Sequence, residues 1–448
     1  MIHRRFLLIP LCLGALACGG PDALEDNGAA LRGAVSLGPM IGQLRPGSAR
    51  IWVRTATAAR VYATVTGPTG SVKTAAVETA FAHDYTATLA VPNLSPSTSY
   101  RYTLTVDGAV VPGSHSFVTA PPETDAPSFS FVVLSDFRKG ACPTLATAAA
   151  LDPAFVLMIG DLDHRGPGAG DDPQVWLDAM RTMRRELRDP TATQFGATFS
   201  QGLLERGSKP QLPLYYVWDD HDYCLNNSDQ TCPARSTAFR VYGEYFLTAK
   251  NHGTNGVYQS FRYGKHLEIF MLDARSNRQE IGPGASMLGA EQLAWLEQGL
   301  AASTATWKLI MSPVPFNPAT KTYDAWGAFP EERSALLRFI QDTPISGVVI
   351  VSGDIHSGGA VDSGAHSGLP EISVPHANMP SDWVDTYQHE PGTWSLGQGR
   401  NTAPLLGGNN PGFVKVDLVG PSLKISVLGA DGRTKTTLDG RDPLVFQR

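Results

Sequence analysis

Four short apolar segments each lead into a motif that carries a carboxylate, and this pattern constrains the fold more than any other feature of the chain. In chain order, the motifs lie at residues 135–136, 160–165, 218–222 and 352–356. Apolar, β-branched segments bounded by turn residues are typical of buried strands in an α/β sheet. Because ligands of such sheets bind at the carboxyl ends of the strands, we expect the four motifs to meet at one edge.

The acidic and histidine side chains of these motifs are predicted to bind metal. Carboxylate oxygens beside imidazole nitrogens suit a pair of divalent or trivalent ions. We expect Asp161 to bridge both ions, because Gly160 lets the backbone turn sharply where a strand ends. The other predicted ligands are Asp136, His164 and His356 for one ion, and Asp220 and Asp354 for the other. Asp163 is the alternative to His164.

Basic residues beside these ligands are predicted to act on a phosphoryl group. Two metal ions about 3.5–4 Å apart can clamp such a group and supply a metal-bound hydroxide as the nucleophile. His221 would protonate the leaving oxygen or hold the phosphate. Arg165 and Arg138 could neutralise phosphate oxygens in a bidentate manner. Arg138 fits a surface charge equally well, and Arg165 could instead pair with a neighbouring carboxylate.

The ordered set of motifs resembles that of the calcineurin-like metallophosphoesterase superfamily. Residues 218–222, followed by Asn226 and Asn227 and later by residues 352–356, are similar to the PhoD-type alkaline phosphatase/phosphodiesterase branch. The resemblance implies an α/β catalytic domain over residues 128–448, built as a four-layer α/β/β/α sandwich. It also implies export, and two metal ions drawn from iron, calcium, zinc and manganese. Asn227 is then a rival metal ligand or a substrate contact.

The chain departs from the pattern of this family at several positions. Arg138 stands where the superfamily usually has the His of its first Asp-x-His motif. Asp136 and His164 stand where PhoD-like phosphatases often have Cys and Tyr, and Asp220 replaces the usual Asn before the His of the third motif. The isolated His of the second metal has no clear counterpart near residues 312–313. This last departure removes one of the usual ligands of the second metal ion.

The chain before the motifs is predicted to form a separate all-β domain. Residues 33–120 contain short alternating segments separated by turn signals such as Asp107-Gly108, which is typical of a small β-sandwich. Residues 93–100 resemble the Leu-x-Pro-x-Thr-x-Tyr corner of fibronectin type III domains. We therefore predict a fibronectin III-like sandwich that the proline-rich residues 121–127 join to the catalytic domain.

The N-terminus has the features of a targeting segment. Arg4 and Arg5 precede an apolar run that is too short to span a bilayer, and Cys18 follows a small-x-small motif. We predict a signal peptide over residues 1–18 and a tether over residues 19–32. The mature protein is then either a lipoprotein, held at a membrane by lipid on Cys18, or a secreted periplasmic or outer-surface protein.

Export implies an oxidising compartment, which bears on the remaining cysteines. Cys224 and Cys232 bracket a polar loop, so a local disulfide between them is the first prediction. Pairings that involve Cys142 stay open.

Composition and charge narrow the size and the partners of the protein. With 448 residues, 42% of them hydrophobic, the chain is long enough for two domains with real cores. The net charge of −6 argues against broad binding of nucleic acid, so we predict no specific nucleic-acid partner. The arginines of a predicted helix at residues 174–188 are expected to form a solvated face. The sequence predicts neither the oligomeric state nor a choice between phosphomonoesters and phosphodiesters.

Two functions are compatible with these observations. The first is an exported, metal-dependent hydrolase of phosphate esters, which the clustered Asp and His residues favour. The alternative is a surface lipoprotein that binds a phosphorylated ligand or polymer without turnover, which the missing second-metal His favours.

Overall fold

The computed structural model describes residues 34–164, 172–247, 256–356, 358–379, 394–395, 411–435 and 445–446. The first part of this chain is all-β apart from one 3₁₀ turn (Phe81–His83). Its strands are β1 (Val35–Arg45), β2 (Ser48–Thr55), β3 (Arg60–Gly67), β4 (Gly70–Lys73), β5 (Val77–Glu78), β6 (Thr86–Val91), β7 (Ser99–Val106), β8 (Ala109–Val110) and β9 (His115–Val118).

These strands form two antiparallel sheets around a shared core. One sheet has the order β1-β2-β6, and the other has the order β4-β3-β7-β8, with β5 paired to β3 and β9 to β7. Ile51, Leu89 and Phe117 come from both sheets and lie in one hydrophobic cluster. The N–H of Ser95 donates to Oη of Tyr100 at 2.8 Å, which is the kind of contact that a tyrosine corner makes. The fibronectin III-like topology stays a prediction.

The rest of the described chain alternates strands with helices. The strands are β10 (Phe129–Leu134), β11 (Val156–Ile159), β12 (Leu214–Val217), β13 (Gln259–Tyr263), β14 (Leu267–Met271), β15 (Trp307–Ser312), β16 (Val348–Ser352), β17 (Ala360–Asp362), β18 (Glu371–Ser373), β19 (Trp394–Ser395), β20 (Gly412–Val419), β21 (Ser422–Gly429) and β22 (Val445–Phe446). The helices are α1 (Pro143–Ala150), α2 (Pro173–Glu186), α3 (Gln194–Phe199), α4 (Asp220–Tyr223), α5 (Arg235–Tyr245), α6 (Gly289–Ala302) and α7 (Pro330–Asp342), with a π-helical turn at Ser200–Leu204 and a 3₁₀ turn at Trp326–Ala328.

Two mixed sheets carry the four motifs. The first has the order β12-β11-β10-β20-β21-β22, in which β10, β11 and β12 are parallel. The second has the order β13-β14-β15-β16-β18-β17-β19, in which β14, β15, β16 and β18 are parallel. Three motifs follow β10, β11 and β12, so parallel pairing brings them to one edge of the first sheet. The fourth motif follows β16 of the second sheet.

Hydrophobic packing joins the two sheets and covers the second with helices. Val133 of the first sheet and Val351 of the second lie in one cluster. Ile350 faces the other way, because successive strand residues alternate sides, and it packs in a cluster with Leu296 of α6 and Leu336 of α7. Burial on both faces explains why β16 is apolar throughout its first four residues. The prediction of a mixed α/β protein is confirmed.

The arginines of α2 are mostly buried, which corrects the expectation of a solvated face. Arg181 pairs with Glu244 of α5 at 2.6 Å, and Arg184 pairs with Asp222 at 3.0 Å. Arg188, just beyond the helix, is buried as well. Their ion partners lie far along the sequence, so a local charge pattern could not reveal that this face packs inward.

Cysteine pairing follows the first prediction. Cys224 and Cys232 form a disulfide, and Cys142 is buried as a free thiol. Among the helices that the structure describes, none is both long and apolar enough to cross a membrane. The predicted signal peptide and tether lie outside the described residues.

Candidate active site

The motifs leave their strands through a backbone conformation that non-glycine residues rarely adopt. Asp136 (φ 59°), Asp161 (φ 50°), Asp354 (φ 55°) and His356 (φ 41°) all lie in the left-handed region. Each such residue costs on the order of 1–3 kcal/mol, and the conformation persists where the surrounding structure fixes it, often at functional sites. The folded state is thus destabilised by the backbone conformation that sets the direction of these four side chains.

Two glycines permit the close approach of the strand ends. Gly160 has a φ of 99°, and a Cβ on it would lie 2.6 Å from Cβ of Asp219. A Cβ on Gly353 would lie 2.5 Å from Oγ of Ser135. Both positions therefore exclude a side chain, and the carboxylate that follows each glycine is held against the neighbouring strand end.

Asp136, Asp161, His164 and His356 form a compact group, here called the Asp/His cluster. Nε2 of His164 lies 2.9 Å from Oδ2 of Asp161 and 3.0 Å from Nε2 of His356. Nε2 of His356 lies 3.2 Å from Oδ1 of Asp136. One potential ligand atom from each residue lies within 4.8 Å of all the others. A single metal ion could therefore contact all four side chains.

The unpaired oxygens of this cluster fit a bound cation. Both carboxylate oxygens of Asp136 and Oδ1 of Asp161 are buried and have no hydrogen-bond partner in the described part of the chain. Within that part, the ion pairs of these two carboxylates involve only His164 and His356. A histidine must lose its proton to bind a metal ion, so the imidazoles and the ion together would satisfy these buried carboxylates. Two carboxylates with two imidazoles suit a divalent or trivalent transition metal.

A backbone contact orients His164 toward the cluster. Nδ1 of His164 lies 3.0 Å from the carbonyl oxygen of Phe137, and a carbonyl only accepts, so Nδ1 carries a hydrogen. Nε2 then faces the carboxylates. Burial opposes the charged imidazole, but the Asp161 carboxylate outweighs burial and raises the pKa of His164 to about 9. A metal ion would compete with that proton, so we expect metal binding to release protons.

Asp161, Asp220 and His221 form a second group of potential ligand atoms. Backbone donors hold the carboxylate of Asp220, because Oδ1 accepts from the N–H of His221 at 2.8 Å and Oδ2 from the N–H of Asn227 at 2.5 Å. Burial acts to raise the pKa of Asp220, but Arg275 and His221 outweigh burial and lower it below the ordinary range. Asp220 is therefore an ionised carboxylate that already has two donors.

Buried cations lie against the carboxylates on the far side of Asp220. This ion-paired cluster comprises the carboxylates Asp219, Asp220, Asp324 and Asp354 and the cations Arg275, Arg278 and Lys321. Arg275 is fully buried and binds Asp219 and Asp324 with paired guanidinium contacts. Nζ of Lys321 contacts Oδ2 of Asp354. Burial opposes the charged form of Lys321, but Asp354 and Asp324 raise its pKa above the ordinary range.

A cleft of about 380 Å³ opens over both groups. Asn226, Asn227 and Tyr323 are exposed at its mouth, and His221 is half-buried. The residues that line it are Asp161, His164, Asp220, His221, Asn226, Asn227, Lys321, Tyr323, Asp354 and His356. Because most of these side chains are polar or charged, the cleft suits a polar ligand better than an apolar one.

The structure brings most of the predicted site residues to this cleft, but not all of them. Arg138 is half-buried, and its N–H donates to Oδ1 of Asn378 at 2.7 Å. It is not among the described residues that line the cleft. Arg165 lies outside the described residues. Of the two alternatives for the first ion, His164 contributes a potential ligand atom, whereas Asp163 belongs to neither group.

Sequence motifs did not predict the cations of the ion-paired cluster. Lys321 and Asp324 lie in a loop after β15 that no strand-end pattern marks. Arg275 did have a usable signal. It follows β14 in the segment Leu272-Asp273-Ala274-Arg275, which repeats the order of an apolar strand followed by a carboxylate.

Comparisons with known proteins agree with this geometry. A family model described as PhoD-like phosphatase matches residues 129–374, and one described as a domain of unknown function (DUF7800) matches residues 32–124. Alkaline phosphatase D of Bacillus subtilis (strain 168) is 27% identical over a region that covers 33% of this chain and 31% of that protein. The chain thus matches about a third of that relative's length.

Two solved structures are similar to most of the chain. The structure of PhoD aligns with a TM-score of 0.70 and 18% identity, covering 93% of this chain and 90% of that one. Purple acid phosphatase PPD1 from yellow lupin (Lupinus luteus) seeds aligns with a TM-score of 0.63 and 14% identity, covering 92% and 74%. At these identities the two structures show a shared fold alone. Because the matching family model spans more than half of the residues, the chain belongs to the PhoD-like phosphatase family.

Proposed function

We propose that the protein is a metal-dependent phosphoesterase that hydrolyses phosphomonoesters, phosphodiesters or both. The observation that carries this proposal is the Asp/His cluster, which lies below a polar cleft and holds two imidazoles. Both carboxylate oxygens of Asp136 and Oδ1 of Asp161 are buried there without a hydrogen-bond partner among the described residues. Membership of the PhoD-like phosphatase family supports it.

The Asp/His cluster contains the residues that would hold the ion. An ion bound there would polarise a phosphoryl oxygen and lower the pKa of a water ligand. His164 would contribute Nε2, because Nδ1 is engaged by the carbonyl of Phe137. The proposal requires one ion in this cluster. The sequence assigns the second ion to Asp220 and Asp354 with Asp161 as the bridge, and two of these residues, Asp161 and Asp220, belong to the other group of potential ligand atoms.

We assign His221 the role of acting on the leaving oxygen. Its backbone N–H donates to Oδ1 of Asp220, and its ring centroid lies 4.8 Å from that of His164. It would protonate the leaving group or donate to a phosphate oxygen. Asn227, anchored on the other oxygen of Asp220, would contact the substrate from the mouth of the cleft. Arg165 keeps its proposed role as a phosphate clamp, whereas the position of Arg138 favours the surface-charge alternative.

The proposal extends to architecture and location. The core shared by the two mixed sheets supports a four-layer α/β/β/α arrangement for the catalytic domain. Export is supported by the N-terminal pattern of residues 1–18 and by the disulfide between Cys224 and Cys232, since disulfides persist in oxidising compartments. A lipid on Cys18 would then tether the protein to a membrane.

Turnover of two model esters before and after metal removal tests the proposed activity. We expect release of nitrophenol from bis-p-nitrophenyl phosphate or p-nitrophenyl phosphate, loss of that activity with a chelator, and recovery with iron, calcium, zinc or manganese. Activity that survives complete metal removal would contradict the proposal. A bound metal without turnover of either ester would instead support the binding lipoprotein.

A further inference from the structure

The position expected for a second metal ion already has cations from the chain itself. Nζ of Lys321 contacts Oδ2 of Asp354 and lies 3.6 Å from Oδ2 of Asp324. Nη2 of Arg275 lies 3.8 Å from Oδ2 of Asp354 and 3.9 Å from Oδ2 of Asp220. The two carboxylates predicted to bind the second ion, Asp220 and Asp354, therefore both face a protein cation.

Hydrogen-bond satisfaction separates the two halves of the site. Asp136 and Asp161 have buried oxygens without a partner in the described residues, whereas Asp220 and Asp354 have none of this kind. Both oxygens of Asp220 accept backbone N–H groups. A carboxylate held by backbone N–H groups or by a Lys or Arg counter-charge gains less from a metal ion than one whose ionic partners are imidazoles, because an imidazole can give up its proton and bind the same ion.

A second ion would also meet repulsion. In two-metal sites the ions lie about 3.5–4 Å apart, so a second ion would bind beside the first, at Asp220 and Asp354 as the sequence predicts or at Asp220 and His221. The Lys321 ammonium contacts Oδ2 of Asp354, and the Arg275 guanidinium lies within 3.9 Å of Oδ2 of both Asp354 and Asp220. Like charges repel strongly at such distances in a buried site. The residues present do not fit a second metal ion.

We propose that the ammonium of Lys321 takes the place of the second metal ion, so that the chain holds one tightly bound metal ion. This inference rests on the proposed phosphoesterase function and assigns the second positive charge of that site. An ammonium has three donors, so Lys321 can keep its contact with Asp354 and still donate to a phosphate oxygen. Lys321 lines the cleft together with Asn227 and Tyr323, which places it where a phosphate would bind.

Arg275 acts behind Lys321 as a positioning residue. Its guanidinium is paired along two edges with Asp219 and Asp324, and the side chain is fully buried. Arg275 does not line the cleft, whereas Lys321 does. The cation that faces a substrate is therefore Lys321.

The metal content of the full chain tests this assignment. The protein and its Lys321→Met variant are loaded with Mn²⁺, separated from excess ion by gel filtration, and measured by elemental analysis and electron paramagnetic resonance. We expect about one Mn²⁺ per chain with an uncoupled spectrum for the native protein. We expect about two per chain with a spin-coupled spectrum for Lys321→Met, because Asp354 then lacks its ammonium partner, whereas the guanidinium of Arg275 stays paired with Asp219 and Asp324.

Two further variants keep the test decisive. Lys321→Arg keeps the charge and should stay at about one ion per chain, while Lys321→Gln removes it with a polar side chain should Lys321→Met fail to fold. Two coupled ions in the native protein, or about one ion in both folded neutral variants, would overturn the assignment.

Ester turnover on the same samples separates the two proposals. Two ions in an active enzyme would overturn only this one, whereas one ion without turnover would count against the phosphoesterase.

Discussion

The Asp/His cluster and the ion-paired cluster both contain buried carboxylates that follow strand ends, but the partners of these carboxylates differ. Asp136 and Asp161 have oxygens without a hydrogen-bond partner in the described part of the chain, beside two histidines. Asp219 and Asp324 are paired with Arg275, and Asp354 is paired with Lys321. The Asp/His cluster thus has carboxylate oxygens that could bind a metal ion, whereas the carboxylates of the ion-paired cluster are paired with Arg275 and Lys321.

This difference explains why a shared strand-end pattern does not imply a shared role. The strands end at one edge with carboxylate side chains, and residues of the loops near that edge provide the cations that pair with them. The loop after β15 brings Lys321 and Asp324, and the segment after β14 brings Arg275. Among the described residues, the ion pairs of Arg275 and Lys321 are with Asp219, Asp220, Asp324 and Asp354. The proposal for Lys321 thus makes the number of metal ions depend on loop residues rather than on the motifs that the resemblance rests on.

The largest expected effect comes from removing one carboxylate in each half. Asp136→Asn should lose the bound metal and lower turnover of bis-p-nitrophenyl phosphate by roughly 10³-fold or more, because a metal ion contributes several kcal/mol to the transition state. Asp220→Asn, its matched partner, should keep the metal, since Asp220 already has backbone donors. Metal analysis of both variants checks this. Full metal content in Asp136→Asn, or loss of it in Asp220→Asn, would reverse the comparison.

The next effect isolates proton transfer from metal binding. His221→Gln should lower kcat by about 10²–10⁴-fold, the usual contribution of a general acid, while the metal content stays unchanged. The control is His83→Gln, because His83 is 68% exposed in the N-terminal part. Steady-state kinetics and metal analysis together decide the role. Loss of metal from His221→Gln would make His221 a ligand and would return weight to the Asp161, Asp220 and His221 group.

A stability measurement tests the ion-paired half directly. Arg275→Met leaves the buried carboxylates of Asp219 and Asp324 without their shared partner, which should lower the free energy of unfolding by about 3–5 kcal/mol. The matched control is Arg60→Met, whose ion pair with Glu78 at 3.6 Å is exposed and should contribute less than about 1 kcal/mol. Urea denaturation of the metal-free proteins gives both values. Equal losses of unfolding free energy would mean that Arg275 does not stabilise the buried carboxylates more than a surface ion pair would.

The proximity of the residues in the Asp/His cluster could be expected from the sequence, because their positions follow from local order. Asp136, Asp161 and Asp354 each follow an apolar strand and a glycine or serine. Parallel pairing of β10 with β11 brings Asp136 and Asp161 to one edge, while Asp354 follows β16 of the second sheet. The histidines follow within three residues of Asp161 and two of Asp354. Such short spacings leave little freedom for the side chain.

The ion-paired cluster escaped prediction because its contacts join distant parts of the chain. Arg275 pairs with residues 56 and 49 positions away, and Lys321 contacts a carboxylate 33 positions away. The inward face of α2 escaped for the same reason, since Arg184 meets Asp222 across 38 positions. Composition and periodicity show where a charged residue occurs but not which residue it contacts. The sequence alone therefore could not distinguish a carboxylate that binds metal from one that pairs with Lys or Arg.

Glu371 shows a third way to bury a carboxylate at this edge, and it gives the smallest predicted effect. Oε1 accepts from the N–H of Phe316 and from Oγ of Ser352, while Oε2 has no hydrogen-bond partner among the described residues. Burial raises the pKa of Glu371 to about 7, so the folded chain keeps a proton that the unfolded chain loses near its ordinary pKa of 4.5. Folding stability from this group is therefore highest below pH 4.5 and falls as the pH rises toward 7, by at most about 1.4 kcal/mol per pH unit.

Glu371→Gln removes that proton equilibrium and should gain stability relative to the native protein on going from pH 5 to pH 8. The gain is at most about 3 kcal/mol, because the two states differ in bound protons only between the two pKa values. Urea denaturation at both pH values measures it, with Glu331→Gln on the exposed first turn of α7 as a control for removing one negative charge. A pH-independent difference would mean that Glu371 is ionised in the folded protein. A cation would then have to lie near it, and the contrast between the two halves would extend to a third carboxylate.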